Sequence, residues 1–215
     1  MLLSTLLKLL PLLINISPEA YKYPYGPEYD LKDELFQRRK YNKEVRPKIN
    51  LNSPIRLNIS LSAVQLLDLS VKNEKIELMT WMYMHWFDEY LTWNPKKFGG
   101  ITSTVVSAEM VWKPDFYLYN SVHSTKWNAR INTPLKLSYT GQIDWSSPAT
   151  FSGACDVNSE YYPFDTQNCS LWFGTWTHTS DQLDPYRMEK WFRLLKIFST
   201  KIFTFSFFAK ICQIT

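Results

Sequence analysis

Polar and apolar positions alternate most cleanly in "IRLNISLS", residues 55–62. There Ile55, Leu57, Ile59 and Leu61 are apolar, and Arg56, Asn58, Ser60 and Ser62 are polar. A period of two sends one set to a core and the other to water, so the stretch predicts a half-buried β-strand. "KIELMTWMYMHWFDEYLTWN" repeats the pattern, with Ile76, Leu78, Met82, Met84 and Trp86 on one face and Glu77, Met79, Trp81, Tyr83 and His85 on the other. Trp81 thus falls with the polar set, a large aromatic aimed away from the core. In "NCSLWFGTW" the apolar side is Cys169, Leu171 and Phe173, and the other side is Ser170, Trp172 and Trp176. The turn signals "NPKKFGG", "KPD", "NTP", "TGQ" and "SSP" punctuate the chain about every ten residues. Many short strands between regular turns predict a mainly β fold, an antiparallel β-sandwich. One helix is expected ahead of it, over roughly Leu31 to Tyr41. Leu31, Leu35 and Phe36 stand there at helical spacing, with Asp30 as a candidate cap and Pro47 as a stop.

The two ends break the pattern. "MLLSTLLKLLPLLINIS" is a short apolar run interrupted by Lys8 and Pro11, and residues 1–20 read as a secretory signal peptide with Ser17 or Ala20 last. The alternative is a buried amphipathic helix. Secretion would place the chain where Cys155 and Cys169 are permitted to bond, with Cys212 left over. It also gives meaning to Asn58 in Asn-Ile-Ser and Asn168 in Asn-Cys-Ser, both glycosylation acceptors. After Asp184 the chain changes in kind. Residues 185–215 are rich in Phe, Ile and Lys, lack sandwich turns, and carry Lys196, Lys201 and Lys210, each costing about 2.5–3.5 kcal/mol at a bilayer centre. This segment is expected to be a divergent tail, disordered or artefactual, and not a transmembrane helix.

Composition narrows the function. Aromatics make up 16% of the 215 residues, with nine Trp, which asks for a use beyond packing. The net charge is +4, but basic residues are scattered or interleaved with acids, so no nucleic-acid partner is indicated. His85, His123 and His178 are the three histidines, without nucleophile–base spacing or a ligand cluster around them. No enzyme, metal or cofactor is expected.

"CDVNSEYYPFDTQNC", residues 155–169, sets thirteen residues between two cysteines around Tyr162, Pro163, Phe164 and Asp165. On an aromatic-rich sandwich with an N-terminal helix, this spacing and centre resemble the ligand-binding domain of Cys-loop receptors, the pentameric ligand-gated ion channels, and most of all the nicotinic acetylcholine receptor branch. Three more motifs stand in that family's order. "WMYMHWFDEYLTWN" is similar to the strand carrying the complementary-face tryptophan, here Trp81. "WKPDFYLYN" is similar to loop A, with Trp112, Pro114 and Asp115 structural and Tyr119 in the binding role. "FGTWTHTS" is similar to loop B, with Trp176 meeting the ligand's cation. The resemblance runs over about residues 28–184 and implies a ligand-binding domain at 21–184. It further implies a Cys155–Cys169 disulfide, an acetylcholine-like cationic ligand held in an aromatic cage between neighbouring subunits of a pentamer, and a cation pore in the full-length form. Tyr162 to Asp165 would form the loop that couples binding to gating. "GQIDWSSP" lies in the loop E region, where Ile143, Asp144 and Ser146 are candidate contacts.

Taken alone, Tyr119 reads as a core tyrosine, Trp176 as packing and Trp81 as cover for a sheet face; the ordered motifs reverse this. Trp86, Trp93, Trp112 and Trp172 are read as scaffold. The chain departs from the family in lacking loop C, its paired cysteines and the four membrane helices. The last strands of the sandwich are therefore expected to be missing, and the membrane to be reached only through an absent region. Three readings follow: the extracellular domain of a postsynaptic receptor subunit, a secreted transmitter-binding protein of the same fold, or a non-binding subunit fragment.

Overall fold

A computed structural model describes residues 25–122, 133–161, 167–187 and 203–209. The signal-peptide reading and the coupling loop Tyr162–Asp165 lie outside the described residues, as does most of the tail. Residues 25–41 and 94–101 belong to one compact unit, and 42–93 and 102 onward to a second.

The first unit carries α1, Pro27–Lys32, which continues into a π-helical segment, Asp33–Arg38. The helix begins four residues earlier than the sequence predicts and ends three earlier. Pro27 occupies the first turn behind Gly26, where a missing N–H costs nothing. Arg39 N–H donates to the Glu34 carbonyl five residues back, the wider π pattern, and Lys40 then takes a positive φ of 52° that ends the helix. Asp30 does not cap. It lies inside α1, buried, as are Leu31 and Leu35.

The second unit is a pair of sheets. In chain order its strands are β1 (Ile55–Ser70), β2 (Lys75–Thr92), β3 (Ser103–Val106), β4 (Phe116–Leu118), β5 (Leu135–Ser138), β6 (Thr140–Ala154), β7 (Gln167–Thr175), β8 (Leu183–Arg187) and β9 (Phe203–Ala209). One sheet has the order β3-β5-β6-β2-β1-β8 and the other β4-β7-β9. All pairings are antiparallel except β1 with β8 and β7 with β9. This is the mainly β, antiparallel-dominated sandwich that the turns and alternation predict. Two strands, β8 and β9, form where the sequence reading sets the limit of the sandwich and its tail. The backbone of 203–209 runs beside β7 in register from Gln167↔Phe203 to Phe173↔Ala209.

Alternation is kept along β2 as far as Asp88 and on β1 from Ile55 to Leu61, except that Ser60, which the pattern sends to water, is buried. Ile55, Leu57, Ile59 and Leu61 of β1, and Ile76, Leu78, Met82, Met84 and Trp86 of β2, are all buried. Thr80 shares that buried face and satisfies its hydroxyl by donating to the Ala149 carbonyl at 3.0 Å. Ring contacts join the sheets. Phe173 of β7 stacks on Phe116 of β4 at 5.5 Å and meets Phe151 of β6 edge-on at 4.9 Å. Burying such a side chain is worth about 1.5–3 kcal/mol. Gly141 starts β6 at φ 82°, where a Cβ would lie 2.2 Å from the Asp88 carbonyl oxygen. Only glycine fits there, at the point where the β2–β6 register slips between Phe87 and Thr92.

Candidate ligand-binding site

A disulfide joins Cys155, just past β6, to Cys169 in β7, with Cα atoms 5.0 Å apart. Both cysteines are buried, so the bond ties one sheet to the other from within. In the chain-entropy view a closed loop of this length is worth about 3 kcal/mol. Gln167 seals the base of the loop from inside. Its side chain accepts from Asn158 N–H at 3.0 Å and donates to the Asn158 carbonyl at 2.5 Å.

Asn120 adds a second clamp beside the first. Its amide donates to the carbonyls of Ala154 and Ser170 at 3.2 and 2.8 Å, and its side-chain oxygen accepts from Trp172 N–H at 3.0 Å. One short side chain thus satisfies backbone groups of β6 and β7 together. Sequence reasoning missed both Gln167 and Asn120; only the final position of "WKPDFYLYN" hints at the second.

These clamps bring the "WKPDFYLYN" and "FGTWTHTS" segments side by side. Strand β4 pairs Phe116 with Thr175, Tyr117 with Gly174 and Leu118 with Phe173. Phe116 and Leu118 point into the core, so Tyr117 and Tyr119 fall on the outer face. Tyr119 leans over Gly174, where a Cβ would lie 2.5 Å from its ring, and its hydroxyl donates to the Thr175 carbonyl. The Tyr119 and Trp176 ring centroids stand 6.2 Å apart, and Tyr117 reaches the same indole at 6.3 Å. Trp176 is 67% exposed. The motifs name Tyr119 and Trp176 as candidates and do not name Tyr117.

Trp176 lies just past the end of β7, and a carboxylate fixes the turn that carries it. Asp115 accepts from the Thr177 backbone N–H, from the Thr177 hydroxyl, and from His178 Nδ1 at 2.7 Å. The Asp115 carbonyl takes Trp176 N–H at 3.3 Å. Burial alone would raise the Asp115 pKa, but the Thr177 and His178 hydrogen bonds and the charge of His178 outweigh it and hold the carboxyl below its ordinary range. The His178 ring in turn meets Trp112 edge-on at 6.0 Å.

Trp81, Asp144 and Ser146 are placed elsewhere, on the outer face of the six-stranded sheet. Opposite pairs run Trp81↔Pro148, Tyr83↔Ser146 and His85↔Asp144. Trp81 is 40% exposed, with its indole on the wet face that alternation assigns. Asp144 is engaged: His85 Nδ1 bonds it at 2.6 Å, and the Gln142 amide donates to both its oxygens at 3.2 Å. Asn58, Ser60, Tyr83, His85, Asp144 and Ser146 line a cleft of about 320 Å³. Asn168 is exposed on β7, whereas Asn58 is half-buried opposite His85. Trp172, read as scaffold, is 48% exposed, while Trp86, Trp93 and Trp112 are buried.

The arrangement is a pair of open aromatic surfaces on two sheets. A family model for the neurotransmitter-gated ion-channel ligand-binding domain matches residues 28–210. The acetylcholine receptor subunit alpha-like of Manduca sexta is 35% identical over 150 residues, covering 70% of this chain and 29% of that one. The human neuronal acetylcholine receptor subunit alpha-2 is 35% identical over 177 residues, covering 81% and 33%. The goldfish (Carassius auratus) neuronal acetylcholine receptor subunit non-alpha-2 is 36% identical over 150 residues, covering 70% and 32%. The chain therefore spans about a third of the length of these relatives. It belongs to the neurotransmitter-gated ion-channel ligand-binding-domain family, a receptor family and not an enzyme family, and is homologous to nicotinic acetylcholine receptor subunits.

Proposed function

We propose that the chain is the extracellular neurotransmitter-binding domain of a nicotinic-type channel subunit, and that its ligand is a small cation of the acetylcholine kind. The observation that carries this reading is the pairing of Tyr119 with the open indole of Trp176 on a turn held by Asp115. A quaternary ammonium donates no hydrogen bonds, and aromatic faces attract it at about 0.5–2 kcal/mol per ring. Micromolar affinity requires about 8 kcal/mol, so several rings and a shape fit are needed. Trp81, on a separate sheet with its indole in solvent, supplies its ring to the pocket of a neighbouring subunit in a pentamer, and Ser146 stands on the same face. Asp144 stands on that face too, with its oxygens already engaged by His85 and Gln142. In the full-length protein, binding is passed to a cation pore through Tyr162, Pro163, Phe164 and Asp165. Asn58 and Asn168 are glycan acceptors in the secretory pathway.

Titration of the chain, expressed with a partner subunit, against choline esters tests this through quenching of tryptophan fluorescence. The expected result is saturable quenching that Trp176→Ala abolishes while the circular dichroism of the sandwich is retained. Saturable binding of unchanged affinity in Trp176→Ala removes Trp176 from the site.

A further inference from the structure

Tyr117 stands next to the indole as closely as Tyr119 does, at 6.3 against 6.2 Å, although neither alternation nor motif singles it out. Its position follows from the register. Tyr117 lies directly opposite Gly174, so no cross-strand side chain occupies the outer surface beside it. Any larger residue at 174 would drive into the Tyr119 ring at 2.5 Å. The glycine therefore makes room for the Tyr119 ring, and the two tyrosines stand against the indole at 62° (Tyr117) and 45° (Tyr119) to its plane. Tyr117 is half-buried while Trp176 stays 67% exposed, so the tyrosine flanks the indole without covering it. The inner positions of the same strand, Phe116 and Leu118, already meet the packing needs of the core at 0% and 3% exposure. Tyr117 is thus not required there.

We propose that Tyr117 is a ligand-selecting residue, a third ring that extends the Tyr119–Trp176 pair into a platform for a quaternary ammonium. The inference rests on the cationic-ligand reading above and adds to it where the cation sits: toward the Tyr117 side of the indole. A ring acting through its quadrupole favours a charged headgroup over a neutral one of the same shape, whereas a ring that only fills space favours both alike.

The test uses two ligands of matched shape, acetylcholine and its uncharged carbon isostere 3,3-dimethylbutyl acetate, titrated against the full chain assembled with a partner subunit. Three forms are compared: unsubstituted, Tyr117→Phe and Tyr117→Leu. Tyr117→Phe keeps the ring and is expected to bind both ligands within about twofold of the unsubstituted chain. Tyr117→Leu keeps apolar bulk and is expected to lose roughly 2- to 30-fold for the cation, the span of one ring's contribution, with little change for the isostere. Equal losses for both ligands in Tyr117→Leu, or no loss for either, overturn the proposal while leaving the cationic reading intact. Should Tyr117→Leu not fold, Tyr117→Ile takes its place under the same expectations, and equal losses for both ligands, or none for either, overturn the proposal likewise. An unsubstituted chain that binds neither ligand overturns the cationic reading, and this inference with it.

Discussion

On the six-stranded sheet, Trp81, Tyr83, His85 and Phe87 face outward because they are alternate residues of an 18-residue strand whose other face is core. On the three-stranded sheet, Trp176 lies past the end of its strand, and nothing in its periodicity holds it. Its direction depends on Asp115, a half-buried carboxylate 61 positions earlier that takes three donors from the two residues after the tryptophan. The first surface is held by many small, redundant contacts. The second depends on a few strong, charge-assisted ones. The two surfaces should therefore respond differently to single substitutions: one tolerant, the other abrupt.

Asp115→Ala is the most disruptive change expected. It leaves the Thr177 N–H and the His178 ring without their acceptor, and hydrogen bonds to charged groups are worth about 1.5–3 kcal/mol each. A loss of about 3 kcal/mol in urea unfolding is expected, together with loss of ligand-induced fluorescence quenching. Destabilisation under 1 kcal/mol would mean the turn is held by something else. Gly174→Ala should cost about 1–3 kcal/mol, because its Cβ overpacks the Tyr119 ring. Near-UV circular dichroism should report the displaced rings, and an unchanged spectrum would contradict the close approach.

Acid should discriminate next. The Asp115 pKa is lowered in the folded chain, so its stabilisation is complete above the unfolded value near 3.8 and is lost as pH falls through the lower folded value. Stability should fall below about pH 4, and Asp115→Asn should flatten that limb. Glu89 adds to the same limb. Burial opposes its ionisation, but the Lys48 and Ile49 hydrogen bonds and the Lys48 charge overcome it. Asp115→Asn with an unaltered acid limb would assign the whole effect to other carboxylates. The smallest effect belongs to the regular surface. His85→Gln removes a partly exposed His85–Asp144 contact from a strand fixed on both sides, and should cost less than about 1 kcal/mol. A cost above 2 kcal/mol would erase the contrast between the two surfaces.

How much of this was legible beforehand follows the same division. The outward face of Trp81 could be read from its neighbours at 76, 78, 82, 84 and 86, because strand alternation is a local property. Tyr119 and Trp176 were legible only as members of motifs, and nothing between residues 119 and 176 says that their rings meet. Tyr117 left no signal, because its approach to the indole follows from the register of β4 on β7, which is not written in either strand alone. The sequence puts the start of α1 four residues late because its apolar spacing begins at Leu31, whereas Pro27 fits the first turn without being apolar-periodic. Asp144 is legible as a candidate contact, but its engagement by His85 and Gln142 is not, since they reach it only through the β2–β6 register and its own strand geometry.

Local pattern is enough to set β1, β2 and β7 with most of their buried faces, the spacing of the two cysteines and the order of the motifs, since each depends on residues within a few positions of one another. Tertiary structure alone decided the three-ring cluster, the Asp115 latch, the Asn120 and Gln167 clamps and the engagement of Asp144. Those are contacts between segments tens of residues apart, and they exist only once strand register has fixed which side chains stand opposite which.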